Sequence, residues 1–590
     1  MTRRQRLAAA LLAAAFAAFY AATTRGVLAF GDDVLAFQVV EAIVERGEVA
    51  VTSPSDRGAV ARAIPGADGR GYSKYGLGTP LAAVPFYAAG RAAERRGFTL
   101  PETRDGEGNL RTGVRIFATG LVNAVAGALA VLALVALAVE AGFAFPVALG
   151  LGALLGGATF FAHSATTLLS EPLAAAALTA SAAAALRAGN LLRESGQWFS
   201  RRRRDEDQDE RHRLSVEGKD DCKGEGARQR LSIERREDRG IEGVQADVGV
   251  TSGGVGRAVV ASGALAGFAV LVKVAHLVAV LPLGLWLFWT VFRDKGHRGL
   301  DPGHRRRALG LSLLWMSLVL VFVSAVAIYN VSRFGSALET GYGGEATRLT
   351  AAPWVGLAGL LVSPGKGIVW YAPPLLLAIV GWRALARRRR DVAGAALAIV
   401  TGPLLLASVY YQWHGGGSWG PRLLLPILPV ALLGAGEVLE RARQGFRSAK
   451  VASGLVAAAG ALVVALAALV PFDRHHATVW PDPTAPDPER FAAMIWSPPA
   501  SPLAVHLRAL PASGRTTVGL LAGREPLPGP DEKGRGDLPD LAFARYGSHA
   551  LLEWTRGALL TALLAGAAAL AAARRPQGGL QKASLSRPPQ

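Results

Sequence analysis

Residues 113–139, GVRIFATGLVNAVAGALAVLALVALAV, decide the class of fold. The stretch carries one charge, Arg115, and a helix needs only about 20 apolar residues to cross the hydrocarbon core of a bilayer. Comparable runs occur at 7–24, 144–163, 169–189, 258–292, 308–330, 354–382, 391–411, 421–436, 451–471 and 549–573. The run 258–292 is long enough for a tight hairpin, with Lys273 and His276 at its turn. Counted so, the chain is expected to be an all-α polytopic membrane protein with about twelve transmembrane helices. The run 77–90 is short and holds Pro80 and Pro85, so it reads as a partial or re-entrant segment.

Composition agrees with that class. Of 590 residues 51% are hydrophobic and 18% charged, where soluble domains carry about 25% charged residues. Residues 190–257 hold 15 acidic and 15 basic side chains, so the whole net charge of +19 lies elsewhere. It sits in short clusters between apolar runs rather than on one soluble face, which disfavours nucleic acid as a partner. The clusters at 201–204, 293–307, 387–390, 441–450 and 574–575 are expected to face the cytoplasm. The loops 331–352, 412–420 and 472–548 then face outward. Cys222 is the single cysteine, which excludes an intrachain disulfide and a cysteine metal cluster.

The chain divides accordingly. Residues 1–189 form an N-terminal membrane half with the first external loop, and 190–257 a disordered charged cytoplasmic insert whose charge blocks bury too little surface to offset ordering. Residues 258–471 supply the C-terminal membrane helices, 472–548 a Pro-rich external loop, 549–573 the last crossing and 574–590 a cytoplasmic tail. The segment 472–548 carries 12 prolines, which reads as a lid or packing loop. The run 7–24 follows Arg3, Arg4 and Arg6 and reads as an uncleaved first helix, a cleaved leader being the other reading of the same pattern.

Chemistry-bearing residues gather in the outward loops. In GDDVLAFQVVEAIVERG (31–47), Ala36, Val39, Val40 and Ile43 recur at helical spacing, which predicts an external amphipathic helix lying on the membrane surface. Asp32 and Asp33 at its start either cap it or act in catalysis. GYSKYGLGTPLAAVPFY (71–87) places Lys74 between Tyr72 and Tyr75: a headgroup anchor, or a phosphate contact. Glu171 in HSATTLLSEPLAA stands at the mouth of two apolar helices, where helix capping is the plainer role. NVSRFGSALETGYG (330–343) offers Arg333 and Glu339, and SPGKGIVWYAPP (363–374) offers Lys366, Trp370 and Tyr371, a snorkelling lysine and an aromatic belt being the bland readings.

The densest stretch is YYQWHGGGSWGPR (410–422). Its three glycines let backbone amides approach an anion, Arg422 can grip phosphate at two points, and Trp413, Trp419 and the tyrosines suit sugar faces. An aromatic belt on a flexible turn is the rival reading. No GxGxxG, P-loop, HExxH or GxSxG motif stands in a convincing setting, which weakens nucleotide, protease and esterase readings.

The order of these motifs, GDDV, YSKYGLGTPL, LSEPLAA, YNVSRFGSALETGYG, LLVSPGKGIVWYAPPLLL and WHGGGSWGPRLLLPILP, resembles the GT-C superfamily of multispanning glycosyltransferases. The likeness runs over roughly residues 7–436, broken by the insert. It is similar to the group containing protein mannosyltransferases and the aminoarabinose lipid A transferase. That resemblance implies a polyprenyl-phosphate-linked sugar as donor, a lipid, glycan or protein hydroxyl as acceptor, and a site on the outer face of a bacterial inner membrane. Carried over by position, Asp32 is the preferred general base. Asp33 stands where many relatives have Glu and is the second catalytic candidate. Lys74 would lie near the donor phosphate, with Arg333, His414 and Arg422 as further phosphate ligands. Tyr72, Tyr75, Glu171, Lys366, Tyr371, Trp413 and Trp419 are candidate substrate contacts.

No cofactor is required; a divalent ion is possible, but no ligand spacing calls for one. A transporter or lipid-linked glycan flippase is the competing class. It is disfavoured because the polar groups cluster on one face without an internal repeat. A noncatalytic scaffold that binds lipid or glycan is the third reading.

Overall fold

A computed structural model of the chain describes residues 1–28, 31–51, 63–104, 110–217, 253–292, 302–345, 347–472, 474–475, 479, 487–529 and 537–574. Among the described residues the protein is all-α, apart from two short antiparallel hairpins. One pairs β1 (Ile64–Pro65) with β2 (Gly71–Tyr72), the other pairs Thr103–Arg104 with Leu110–Arg111.

Among the described residues, nine helices are long and apolar enough to cross a membrane. They match nine of the twelve expected crossings, including both arms of the 258–292 hairpin, which breaks at Lys273 into Gly253–Val272 and Val274–Phe292. The other three expected crossings take different forms. The run 144–163 divides into Phe145–Gly157 and Phe161–Ser164. The run 354–382 is broken by prolines and glycines into Pro353–Val362, Ile368–Tyr371 and Pro374–Arg388. The alanine-rich run 169–189 opens a much longer helix, Glu171–Glu217.

That last helix corrects the expectation of disorder from residue 190 onward. The helical backbone continues to Glu217, and the next helix begins at Gly253; residues 218–252, with Cys222, lie outside the described residues. The physical reason is in the sequence. RRRRDEDQDE sets Arg201, Arg202 and Arg203 four residues before Asp205, Glu206 and Asp207, an opposite-charge spacing compatible with a helix.

Helix α1 (Arg3–Ala22) starts with a reciprocal capping box between Thr2 and Gln5. It packs against the last helix, His549–Arg574, so the two ends of the described chain lie side by side. Helix α2 (Gly31–Arg46) follows, then α3 (Gly78–Arg95) and α4 (Gly113–Glu140). In α2, residues 33–40 are buried on every side, so its apolar residues meet protein, chiefly α3, rather than a membrane surface. The core centres on α4 and the helices around it, with Val131, Leu134, Val135, Leu155, Leu425 and Leu428 shut off from solvent.

At the periphery the reverse holds. Arg305–Phe334 and His549–Ala573 bury little of themselves and expose Leu320, Val321, Ile328, Leu563 and Leu564, faces that only lipid suits. The segment 472–548, read as a loop, carries the helices Pro488–Trp496, Pro502–Leu521 and Ala542–Tyr546. Two of its prolines sit at the first helical turn, where the missing N–H costs nothing.

Close helix contact depends on missing side chains. A Cβ on Gly381 would lie 2.0 Å from the carbonyl oxygen of Gly434, whereas one on Gly394 would meet open space. Gly381→Val should therefore cost about 1–3 kcal/mol by overpacking, read as a fall in melting temperature of the detergent-solubilised protein. Gly394→Val makes the same change of helix propensity without the clash; equal falls in both variants would contradict this packing.

Candidate active site

Three segments far apart in sequence meet at Asp32. The first turn of α2 supplies Asp32 itself, where the positive end of the helix dipole favours a carboxylate. Its Oδ1 accepts a hydrogen bond from the Tyr75 hydroxyl at 2.5 Å, and its Oδ2 pairs with Arg422 Nη1 at 2.9 Å. The oxygens thus go to side chains of two other loops. Burial alone would raise the Asp32 carboxyl, but the Arg422 charge, the Tyr75 hydroxyl and the Lys273 charge outweigh it and hold the group below its ordinary value. Asp32 is therefore ionised at neutral pH while keeping 27% of its side chain exposed.

Asp33 is different. It is wholly buried, and neither of its oxygens has a hydrogen-bond partner. Burial, followed by the neighbouring Asp32 charge, pushes its carboxyl up to about 8 against the pull of Arg25 and Arg422. At neutral pH Asp33 holds a proton.

The loops that deliver the partners are locked by local chemistry. Gly76 and Gly78 let the YSKYG loop press on the end of Gly253–Val272, since a Cβ on Gly76 would stand 2.4 Å from the Val272 carbonyl oxygen. This contact brings Lys273 to the site, where its Nζ lies 3.8 Å from Glu171 Oε1. Lys74 Nζ pairs with Glu345 at 2.6 Å and sits over the Tyr342 ring at 5.1 Å, with Tyr342 edge-on to Tyr75.

On the other side, Gly415 adopts a left-handed backbone (φ +67°), and a Cβ there would crowd Arg422 Cγ at 3.0 Å. His414 accepts the Gly416 amide on Nδ1, which leaves its proton on Nε2. Burial and the nearby Lys366 and Arg422 charges push His414 down to about 4, so it is a neutral donor and not a cation.

Several expected site residues serve the scaffold in this arrangement. Arg333 spends all three of its nitrogens within the protein, on the carbonyls of Tyr329 and Ser73 and on Asn330 Oδ1, and stacks on Tyr329; it welds the last turn of the helix that ends at Phe334 to the 71–77 loop. Lys366 is fully buried and donates to Ser418, underpinning the glycine loop rather than snorkelling. Tyr72 is buried and donates to Asp68. Trp419 and Tyr371 lie edge to face in the core, and Trp413 fills the space over Gly359, so these rings form the floor of the loop.

Glu171, at the start of its helix, faces Lys273. Among the described residues no group of three or more His, Cys, Asp or Glu side chains is placed to hold a metal ion.

Sequence reasoning had not singled out Tyr342, Glu345, Arg25 or Asp540. Arg25 is buried behind α1, paired with Asp540, which also binds Arg545 at 2.6 Å. Both arginines hold the Asp540 carboxyl well below the ordinary range in spite of its burial.

At the sequence level no protein-family model matches the chain, and no curated protein matches it. Solved structures do. The chain is similar to ArnT from Cupriavidus metallidurans bound to undecaprenyl phosphate, at 14% identity over 95% of this chain and 77% of that one, with a TM-score of 0.46. It is also similar to the same ArnT in the apo state (13%, 95% and 76%, TM-score 0.44) and to the apo Archaeoglobus fulgidus oligosaccharyltransferase (12%, 83% and 60%, TM-score 0.41).

The buried Asp33 makes stability depend on pH in a defined direction. Between the ordinary aspartate value of about 3.9 and about 8, the unfolded chain has lost this proton and the folded chain keeps it, so stability falls as pH rises through that window. Asp33→Asn removes that contribution. Melting temperature followed from about pH 5 to pH 8 should fall more steeply for the parent than for the variant; parallel curves would contradict a protonated Asp33.

Proposed function

We propose that this integral-membrane protein is a glycosyltransferase that moves a sugar from a polyprenyl-phosphate donor to an acceptor hydroxyl of a lipid, glycan or protein at the outer membrane face. The observation that carries the proposal is the convergence of an ionised, partly exposed Asp32 with Arg422, Lys273 and the nearby Lys74. A base and several phosphate-binding cations then share one polar cluster beside membrane helices. The resemblance of the ordered motifs to GT-C enzymes supplies the donor class.

The chemistry needs little more. The acceptor oxygen attacks the anomeric carbon while Asp32 takes its proton. The bond from that carbon to the phosphate oxygen breaks, and its electron pair leaves with the polyprenyl phosphate. A positioned carboxylate contributes roughly 10²- to 10⁴-fold. The leaving phosphate departs as an anion, so no acid is needed to protonate it. Arg422 and Lys74 stabilise the charge that builds on it, often the largest single contribution to such a rate. His414 adds a neutral N–H donor from Nε2. Asp33 lies out of reach of an acceptor, and a neutral carboxyl there keeps a second negative charge away from Asp32. Direct displacement inverts the anomeric centre.

Transfer from a panel of polyprenyl-phosphate sugars by the purified protein in lipid tests the reading. Asp32→Asn should lower kcat by roughly 10²- to 10⁴-fold and Asp33→Asn by clearly less. Turnover preserved in both variants would eliminate the carboxylate base. Retention of the donor's anomeric configuration in the product, seen by NMR, would contradict direct displacement.

Sidedness has its own test, since Cys222 is the only thiol. A membrane-impermeant maleimide should label it in inside-out vesicles and not in intact cells. Labelling from outside would reverse the proposed orientation.

A further inference from the structure

Arg422 and Lys74, which stabilise the leaving phosphate in the proposed reaction, are both paired with carboxylates, but the two pairs are built differently. Arg422 is tied to Asp32, whose other oxygen is engaged by Tyr75, and their side chains are 16% and 27% exposed. Lys74 is tied to Glu345, and those side chains are 20% and 38% exposed. Glu345 ends the short turn Gly343–Glu345, just beyond Gly341 and Gly343, both in left-handed backbone conformations. That turn closes through its main chain, Glu345 N–H to Tyr342 O and Arg348 N–H to Glu345 O, so the Glu345 carboxylate is not needed to form it. Nor is it needed to place Lys74, which the Tyr342 and Tyr75 rings already frame at 5.1 and 6.0 Å. What the carboxylate does is neutralise that lysine.

We propose that Glu345 is an intramolecular competitor for Lys74. The donor phosphate displaces it on entry, and it returns to the lysine to release the polyprenyl phosphate product. This rests on Lys74 being a donor-phosphate ligand, as proposed above.

The charges favour such an exchange. A sugar phosphodiester carries one negative charge, whereas the phosphomonoester left after transfer carries up to two at neutral pH. A flanking carboxylate therefore repels the product more strongly than the donor. A partly exposed ion pair is weak enough for a phosphate to break, and its loss changes binding only modestly. Glu345 thus sets selectivity between donor and product rather than the rate of the chemical step.

The test is binding of undecaprenyl phosphate to the full-length protein in mixed micelles, together with inhibition of transfer by the same compound. Glu345→Gln should tighten binding and strengthen product inhibition by about two- to fivefold, the factor a partly exposed pair supplies, while donor KM changes less. In a Lys74→Gln background the same substitution should have a clearly smaller effect, because the competition is gone and only the carboxylate's repulsion of the product remains. Unchanged or weaker binding in Glu345→Gln, with Lys74→Gln still weakening binding, would overturn the role of Glu345 and leave Lys74 in place. Equal tightening in both backgrounds would overturn it too, as a general charge effect. Equal binding by the parent and Lys74→Gln would remove Lys74 from the donor site, and this inference with it.

Discussion

The Asp32–Arg422 ion pair is the constraint on which the site depends. It joins the first turn of a helix near the N-terminus to a loop almost four hundred residues later, and Tyr75 closes a third segment onto the same carboxylate. Few exposed pairs decide anything in a fold, but this one is largely removed from solvent, where an uncompensated guanidinium or carboxylate is costly. Around it the charges come in matched sets: Glu171 with Lys273, Glu345 with Lys74, Asp540 with Arg25 and Arg545. Asp33 escapes the pattern by keeping its proton. A polar cluster beside apolar helices is tolerable only when each charge is answered or neutralised in this way.

The pairing also explains how one site can be stable in itself and still receive a phosphate. Every cation proposed to touch the donor has a carboxylate in place, so binding becomes an exchange of anions rather than the filling of an uncompensated positive pocket. On that proposal the pair at Lys74, whose carboxylate is the more exposed, is the one that gives way, while Arg422 stays on an Asp32 that Tyr75 also engages. Scaffold residues hold the geometry meanwhile: Arg333 through its three hydrogen bonds, Lys366 beneath the glycine loop, and Trp413 and Trp419 in the floor.

Much of this was legible in the sequence, and the rest had physical reasons to be hidden. Apolar length marked nine crossings because the bilayer imposes a length. It does not reveal that 144–163 and 354–382 are interrupted, since glycines and prolines break a helix without reducing hydrophobicity. Charge blocks at 190–257 suggested disorder because they lack a core, yet the helical backbone runs on to Glu217. The motif residues Asp32, Tyr75 and Arg422 were each visible, but nothing in their spacing says that they touch. Aromatic residues were the least legible, since a tryptophan suited to a sugar face looks the same in sequence as one packed on Gly359 or Tyr371. Glu345 and Asp540 went unmarked because a lone carboxylate in a loop gains meaning only from the cation it meets.

The most direct test of this account is a double-mutant cycle on the melting temperature of the purified protein, with Asp32→Asn, Arg422→Gln and the two combined. If the pair joins these segments as described, either single change should destabilise the protein by leaving the other group unanswered, and the second change should add little to the first. Strictly additive losses would show that Asp32 and Arg422 do not act on one another, and the convergence of the loops into one site would fall.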